Sequence, residues 1–499
     1  MNIIQWGDAP IRWQEVACVA RGEAILSLSE SAWARIEQGR AIVQHIVSAG
    51  QVAYGINTGL GALCNITLPE AQLHQLSRNT LLSHACGVGP LLEVAPTRAI
   101  MCAAVANFSN GKSGISAGIV QQLLMFLQHG VTPQVPSQGS VGYLTHMAHI
   151  GLALMGVGDV LWQGRTWSAA EVLSQLNLQP IAPGAKEGLS LVNGTPCMTG
   201  LACLALDDAE RLMNWADVTG AMSFEALRGQ LVAFDAEILA LKASPGIQTS
   251  GQRLRELLAG SRLLAESEGL RTQDALSLRS MPQVHGACRD QFSHAQTQIN
   301  IELNACTDNP LILGTLEQWR VVSQAHPHGE SVAMACDLLA IAMAELGAIA
   351  ERRLDRLVNP LVSGLPAFLV ARPGVNSGMM IAQYVAASLC AENKQLAQPA
   401  VLDNFVTSAL QEDHLSLGTS AALKLQRLLG NLYQILGIEY LLAAQGLDFH
   451  EPQTLAAGTR RARDLLRQSV PGWEEDRWLA PDIASAVAIL KRNAGHAPA

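Results

Sequence analysis

Charge is what this sequence has least of. Charged residues are 15% of its 499 positions and apolar ones 49%, where an ordinary soluble domain carries roughly 25% charged. A polar coat this thin cannot cover a free monomer of such length, so much of the surface is expected to be buried between copies in a homo-oligomer. Basic clusters are missing too, and the formal net charge is −9. Nucleic acid, whose phosphates demand a clustered basic face, is therefore not an expected partner. No run of 18 uninterrupted apolar residues occurs, and the opening "MNIIQWGDAPIRW" has no basic region leading into an apolar one. Neither a membrane span nor a signal peptide is expected, and the location should be cytoplasmic. Ten cysteines lie scattered from Cys18 to Cys390 without one CxxC pair, which points to buried reduced thiols rather than a disulfide framework or a zinc site.

What the chain does have is long helical text. Ser331 to Val358, "SVAMACDLLAIAMAELGAIAERRLDRLV", contains no proline and one glycine and stops at Asn359-Pro360, the mark of one long helix. Its apolar first half suits a rod at the centre of a bundle. Similar rods are expected from about Gly200 to Lys242, Met379 to Leu396 and Ser420 to Gln445, whereas strand signals are few, "WRVVSQ" among them. The fold class is thus mainly α, a bundle of long central helices. Glycines and short turns are denser before Asn193, and charge and breaks increase after Gly446. This divides the chain into a globular N-terminal region (1–195), the long-helix bundle (196–450) and a peripheral helical cap (451–499).

Polar residues interrupt apolar text at six places: "YGINTGLG" at Tyr54, "LLSHACGVG" at His84, "PSQGSVGYLTHMAHIG" from Pro136, "LVNGT" at Asn193, "QDALSLRSMPQVHG" at Gln273 and "QEDHLSLG" at Gln411. Any one alone reads equally well as a helix cap or a satisfied buried polar group. His146 and His149 share a helix face at i, i+3, but no glutamate completes an HExxH pattern and no third ligand is evident, so no metal site is expected.

Together with "ELNACTDNPLI" around Asp308, these segments resemble, in order and spacing from Tyr54 to Gly418, the aromatic amino acid lyase family, and most nearly its histidine ammonia-lyase-like members. The resemblance implies a mainly helical homotetramer whose active sites draw residues from several subunits. It also implies roles: Tyr54 as the base that takes the Cβ proton, His84 and Glu412 as contacts to a substrate imidazole, Arg279 as the fork that holds the substrate carboxylate, and Asn193 and Gln273 as substrate-binding amides. In that family the Gly-Ser-Val-Gly turn continues into Ala-Ser-Gly, which cyclises to an electrophilic methylidene-imidazolone. Here Gly142 is followed directly by Tyr143. No such cofactor is expected.

Without that electrophile the substrate itself must leave well. A quaternary trimethylammonium does so, because it departs as a neutral amine. The resemblance then narrows to the branch lacking the tripeptide, the ergothionases, which release trimethylamine from ergothioneine to give thiourocanate. Tyr143 becomes a second candidate base, or a ring face for the cation. Lys394, one of six lysines, is a candidate proton donor beside the ring. Leu276 stands where the family often has tyrosine, and Pro327 near a usual phenylalanine, so the pocket wall is altered. The alternatives are histidine ammonia-lyase itself, making urocanate and ammonia, and a non-catalytic binder of histidine derivatives.

Overall fold

The helix Glu330–Val358 runs for 29 residues and ends where Pro360 forces Asn359 into an extended conformation (φ −88°, ψ 108°). Asn359 then caps the next short helix, its Oδ1 accepting from Leu361 N at 3.1 Å. The computed structural model describes residues 2–402 and 404–495 and is mainly helical. Other long rods are Gly418–Leu447, Met380–Leu396, Pro196–Ala226 and Met281–Leu303. The first two match the sequence expectation within a few residues. Pro196–Ala226 stops well short of Lys242, because Arg228 turns left-handed (φ 54°). The guanidinium of Arg271 closes that end, reaching the carbonyls of Leu227 and Arg228 at 2.8 and 2.7 Å. Met281–Leu303 was hidden in the sequence by Pro282, which a first helical turn tolerates, and by Gly286 within it.

Two helical stretches, Glu187–Ala226 and Glu330–Val358, are long and apolar enough to cross a membrane, and their apolar windows are 100% and 67% buried within the chain. A central core helix has that character. All ten cysteines are free thiols; Cys102, Cys197, Cys203, Cys288 and Cys336 are buried, and Cys86 is exposed.

Contacts divide the chain into two discontinuous units, which cut across the consecutive segments 1–195, 196–450 and 451–499. The first comprises Met1–Asp207, Ala295–Asp337 and Pro399–Leu423. It contains small sheets, each of two or three strands. "WRVV" pairs as Trp319–Val322 with Leu311–Gly314 in an antiparallel ladder. Val88–Leu91 pairs with Pro136–Gln138, joining the chain after His84 to the entrance of the Gly142 turn. The second comprises Asp208–His294, Leu338–Gln398 and Lys424–Ala499. Its helices enclose Arg353 and Glu439, both 0% exposed and paired at 2.5 Å, with Thr219 and Ser223 donating to the same carboxylate. Buried charges persist in such a place only when paired and fully hydrogen-bonded.

Candidate active site

The Gly142 turn lies between two other candidate segments, and backbone hydrogen bonds fix it to both. Leu144 N donates to Val192 O at 3.0 Å, beside Asn193, and Leu417 N donates to Val141 O at 2.9 Å, in the loop that carries Glu412. Gly142 has φ 143°, and a Cβ there would stand 2.5 Å from Ser416 Oγ, so only glycine fits. Ser140 Oγ ties the turn internally, donating to Tyr143 O at 3.1 Å and accepting from Gly142 N at 3.1 Å.

Tyr143 leaves this turn half-buried and donates its hydroxyl to Glu412 Oε2 at 2.8 Å. Burial pushes the phenol well above its ordinary range, and the Glu412 carboxylate pushes it further by hydrogen bond and by charge. Tyr54 belongs to the same cluster. Its phenol is raised first by burial and then by the charges of Glu412, Cys64 and Asp308, partly offset by a hydrogen bond with the Gly61 backbone. A tyrosine base requires the opposite shift, and the residues around Tyr54 do not supply it. Gly55 (φ 71°) lets the Tyr54 loop close onto its neighbours, since a Cβ there would meet Leu189 and Pro310 at 2.8 Å.

Leu189 and Pro310 border the next component. Asn193 is buried and donates through Nδ2 to Asp308 Oδ1 at 3.2 Å and to Asn309 O at 2.8 Å. Asp308 also pairs with Lys186 Nζ at 2.7 Å, both side chains being 0% exposed. Removing one partner of so buried a pair costs about 3–5 kcal/mol. Sequence reasoning passed over Lys186; its signal was a lysine seven residues before Asn193, in apolar text.

His84 ends the helix Leu73–His84, half-buried, with Nδ1 3.0 Å from Ser83 Oγ. Burial lowers its pKa, so the ring is neutral at pH 7. The chain beyond it is pinned where Gly87 N donates to His149 Nε2 at 3.1 Å. His146, 1% exposed, reaches Ser137 O through Nε2 at 3.1 Å. Both histidines thus hold backbone. A different set, His328, Glu330 and His414, brings three donor atoms within 4.8 Å. His328 Nε2 lies 2.9 Å from His414 Nδ1, a separation that one shared proton accounts for.

The remaining candidates lie in the second unit. Gln273 and Arg279 are brought together: with the Gln273 amide oxygen facing the guanidinium it lies 2.9 Å from Arg279 Nη2, while Arg279 Nε donates to Asp274 O at 2.9 Å. Leu276 beside them is 61% exposed. Lys394 is exposed in the last turn of Met380–Leu396.

The turn offers Gly142, Tyr143 and Leu144, and the whole chain contains no Ala-Ser-Gly run. The residues present do not fit a methylidene-imidazolone, because no serine stands where one must dehydrate, and the Tyr143 hydroxyl is already engaged by Glu412.

Comparison with known proteins follows the same outline. A model of the family described as aromatic amino acid lyase matches residues 11–468. The histidine ammonia-lyase of Symbiobacterium thermophilum is 44% identical over 496 residues, covering 99% of this chain and 97% of that protein. The crystal structure of histidine ammonia-lyase from Trypanosoma cruzi superposes with a TM-score of 0.92 at 37% identity, covering 99% and 94%. Ergothionase from Treponema denticola, crystallised with desmethyl-ergothioneine sulfonic acid, superposes with a TM-score of 0.91 at 27% identity, covering 98% and 99%. By identity these relatives favour histidine ammonia-lyase over ergothionase.

Proposed function

The chain belongs to the aromatic amino acid lyase family and is a carbon–nitrogen lyase, and from that premise we propose that it eliminates a quaternary amine from an imidazole-bearing amino acid, with ergothioneine as substrate and thiourocanate and trimethylamine as products. One observation carries this: Tyr143 directly follows Gly142 and gives its hydroxyl to Glu412, in the turn where the family forms its electrophile. A base removes the Cβ proton, the electrons of that bond become the new double bond, and the C–N pair leaves with a neutral amine. Trimethylamine leaves without prior activation; ammonia from an unactivated amino acid does so poorly. Burial keeps both Tyr54 and Tyr143 protonated in the free chain. The substrate's permanent positive charge, placed beside them, shifts a phenol back toward its phenolate. Glu412 accepts from Tyr143 through Oε2, which leaves Oε1 for a ring N–H, and the neutral His84 can serve the same ring. Arg279 is assigned the substrate carboxylate, Gln273 the position of that fork, and Lys394 the ring's developing negative charge. Metal and methylidene-imidazolone have no part in these steps. A cytoplasmic homotetramer with shared active sites belongs to the same proposal. Its support is the apolar residues that the single chain leaves exposed on long helices: Met334, Leu338 and Ile341 on one, Ile381, Tyr384 and Val385 on another.

The 44% identity to a histidine ammonia-lyase favours a second reading, urocanate and ammonia from L-histidine. Incubating the purified protein with each compound, and following the acrylate absorbance together with the released amine, separates them. Trimethylamine from ergothioneine alone supports the first; urocanate from L-histidine overturns it.

A further inference from the structure

The geometry points to Lys186 as a positioning residue for the elimination: acting through Asp308, it fixes the side-chain amide of Asn193 so that the carbonyl oxygen is the face left to the substrate. The inference rests on Asn193 lining the elimination site, and not on which amine leaves. A primary amide has two N–H donors. Both are used, one on Asp308 Oδ1 at 3.2 Å and one on Asn309 O at 2.8 Å, while among the described residues no hydrogen bond reaches Asn193 Oδ1. Asp308 can take that N–H only as an acceptor. Its other oxygen receives Lys186 Nζ at 2.7 Å, and Asn309 N adds a bond to Oδ1 at 2.7 Å. Lys186 in turn donates to Ser190 Oγ at 3.0 Å, which passes the chain on to Ser113 O at 2.9 Å.

The lysine is placed at some expense. It is wholly enclosed, burial pulls its pKa down against the pull of Asp308, and its backbone is left-handed at φ 66°, a conformation that non-glycine residues adopt where surrounding structure imposes it. A neutral side chain at 186 would leave the enclosed Asp308 carboxylate without its ion-pair partner. Drawn toward other donors, it would hold the Asn193 N–H less firmly, and Asn309 O, which can only accept, would be the partner left to keep that N–H inward. The oxygen would still face the cleft, but in a less firmly held position. An amide oxygen suits a ring N–H or the positive end of an amino acid; an N–H face does not.

The test is the double variant Lys186→Met/Asp308→Asn, which removes both charges together and so avoids leaving one of them unpaired. Its crystal structure beside that of the parent is expected to show the Asn193 side chain shifted away from residue 308, with its hydrogen bond to Asn309 O kept. Its kcat/KM, on whichever of ergothioneine or L-histidine the parent converts, is expected to fall at least tenfold. Asn193→Ala is expected to cost at least tenfold in the parent and less than twofold more in the double variant. An unmoved Asn193 side chain, parental kinetics or additive losses would each overturn the assignment. If the double variant does not fold, Ser190→Ala removes one of the two groups receiving Lys186 Nζ; a two- to fivefold fall at an unchanged melting midpoint supports the role, and parental kinetics refutes it. A parent inactive on both compounds counts against the functional proposal alone, and the crystallographic comparison still decides the role of Lys186.

Discussion

Tyr143 has a ring and a hydroxyl whose contributions can be separated. Tyr143→Phe keeps the ring and removes the donor to Glu412 Oε2. A hydrogen bond to a charged acceptor is worth about 1.5–3 kcal/mol, so steady-state kcat/KM should fall about 10- to 100-fold while the melting midpoint stays near that of the parent. Tyr143→Leu also removes the ring, and on a trimethylammonium substrate should raise KM beyond the phenylalanine variant, since a cation over an aromatic face gains about 0.5–2 kcal/mol. Equal KM in the two variants would assign the tyrosine to Glu412 alone. Gly142→Ala has a different expected outcome, loss of stability. Its φ of 143° and the 2.5 Å approach to Ser416 Oγ should cost about 1–3 kcal/mol, read as a lowered midpoint in thermal or urea unfolding.

The helix Thr145–Leu154 is held at its start by His146, and this makes the element sensitive to acid. Burial lowers the pKa of that ring, and of His84 and His149, below the ordinary 6.5. Unfolded, these rings take up protons near pH 6.5; folded, they do so only at lower pH, so below 6.5 the unfolded chain binds more protons. Stability should therefore be level above about pH 6.5 and decline as pH falls through the folded values. Melting midpoints from pH 8 to pH 5 would show this, and His146→Gln should make the decline shallower. The same element illustrates what the sequence made legible. Helical periodicity placed the long rods because burial and the absence of proline are local properties, and polar interruptions marked the segments around Tyr54, Tyr143, Asn193 and Glu412, whose residues only the family resemblance singled out. The tasks of His146 and His149 were not legible, since their partners, Ser137 O and Gly87 N, are backbone atoms that every residue type supplies. Lys186 was passed over because its partner Asp308 lies 122 positions away.

The whole molecule leaves Met334, Leu338 and Ile341 exposed at spacings of four and three on one helix, an apolar stripe that solvent does not favour. In solution the protein should have about four times the mass of one chain by light scattering. Met334→Glu with Ile341→Glu should shift it to smaller species, with loss of activity if sites are shared between copies. A chain-sized parent would refute the assembly. The Tyr143–Glu412 hydrogen bond joins residues 269 positions apart, and that distance makes the shortened turn hard to undo. Three residues inserted after Gly142 would carry Tyr143 away from its carboxylate and leave Glu412 Oε2 without its donor, while the loop from Glu412 to Leu417 would still be shaped for the shorter turn. The two regions are entrenched against each other: an engineer restoring the longer sequence would have to rewrite both at once.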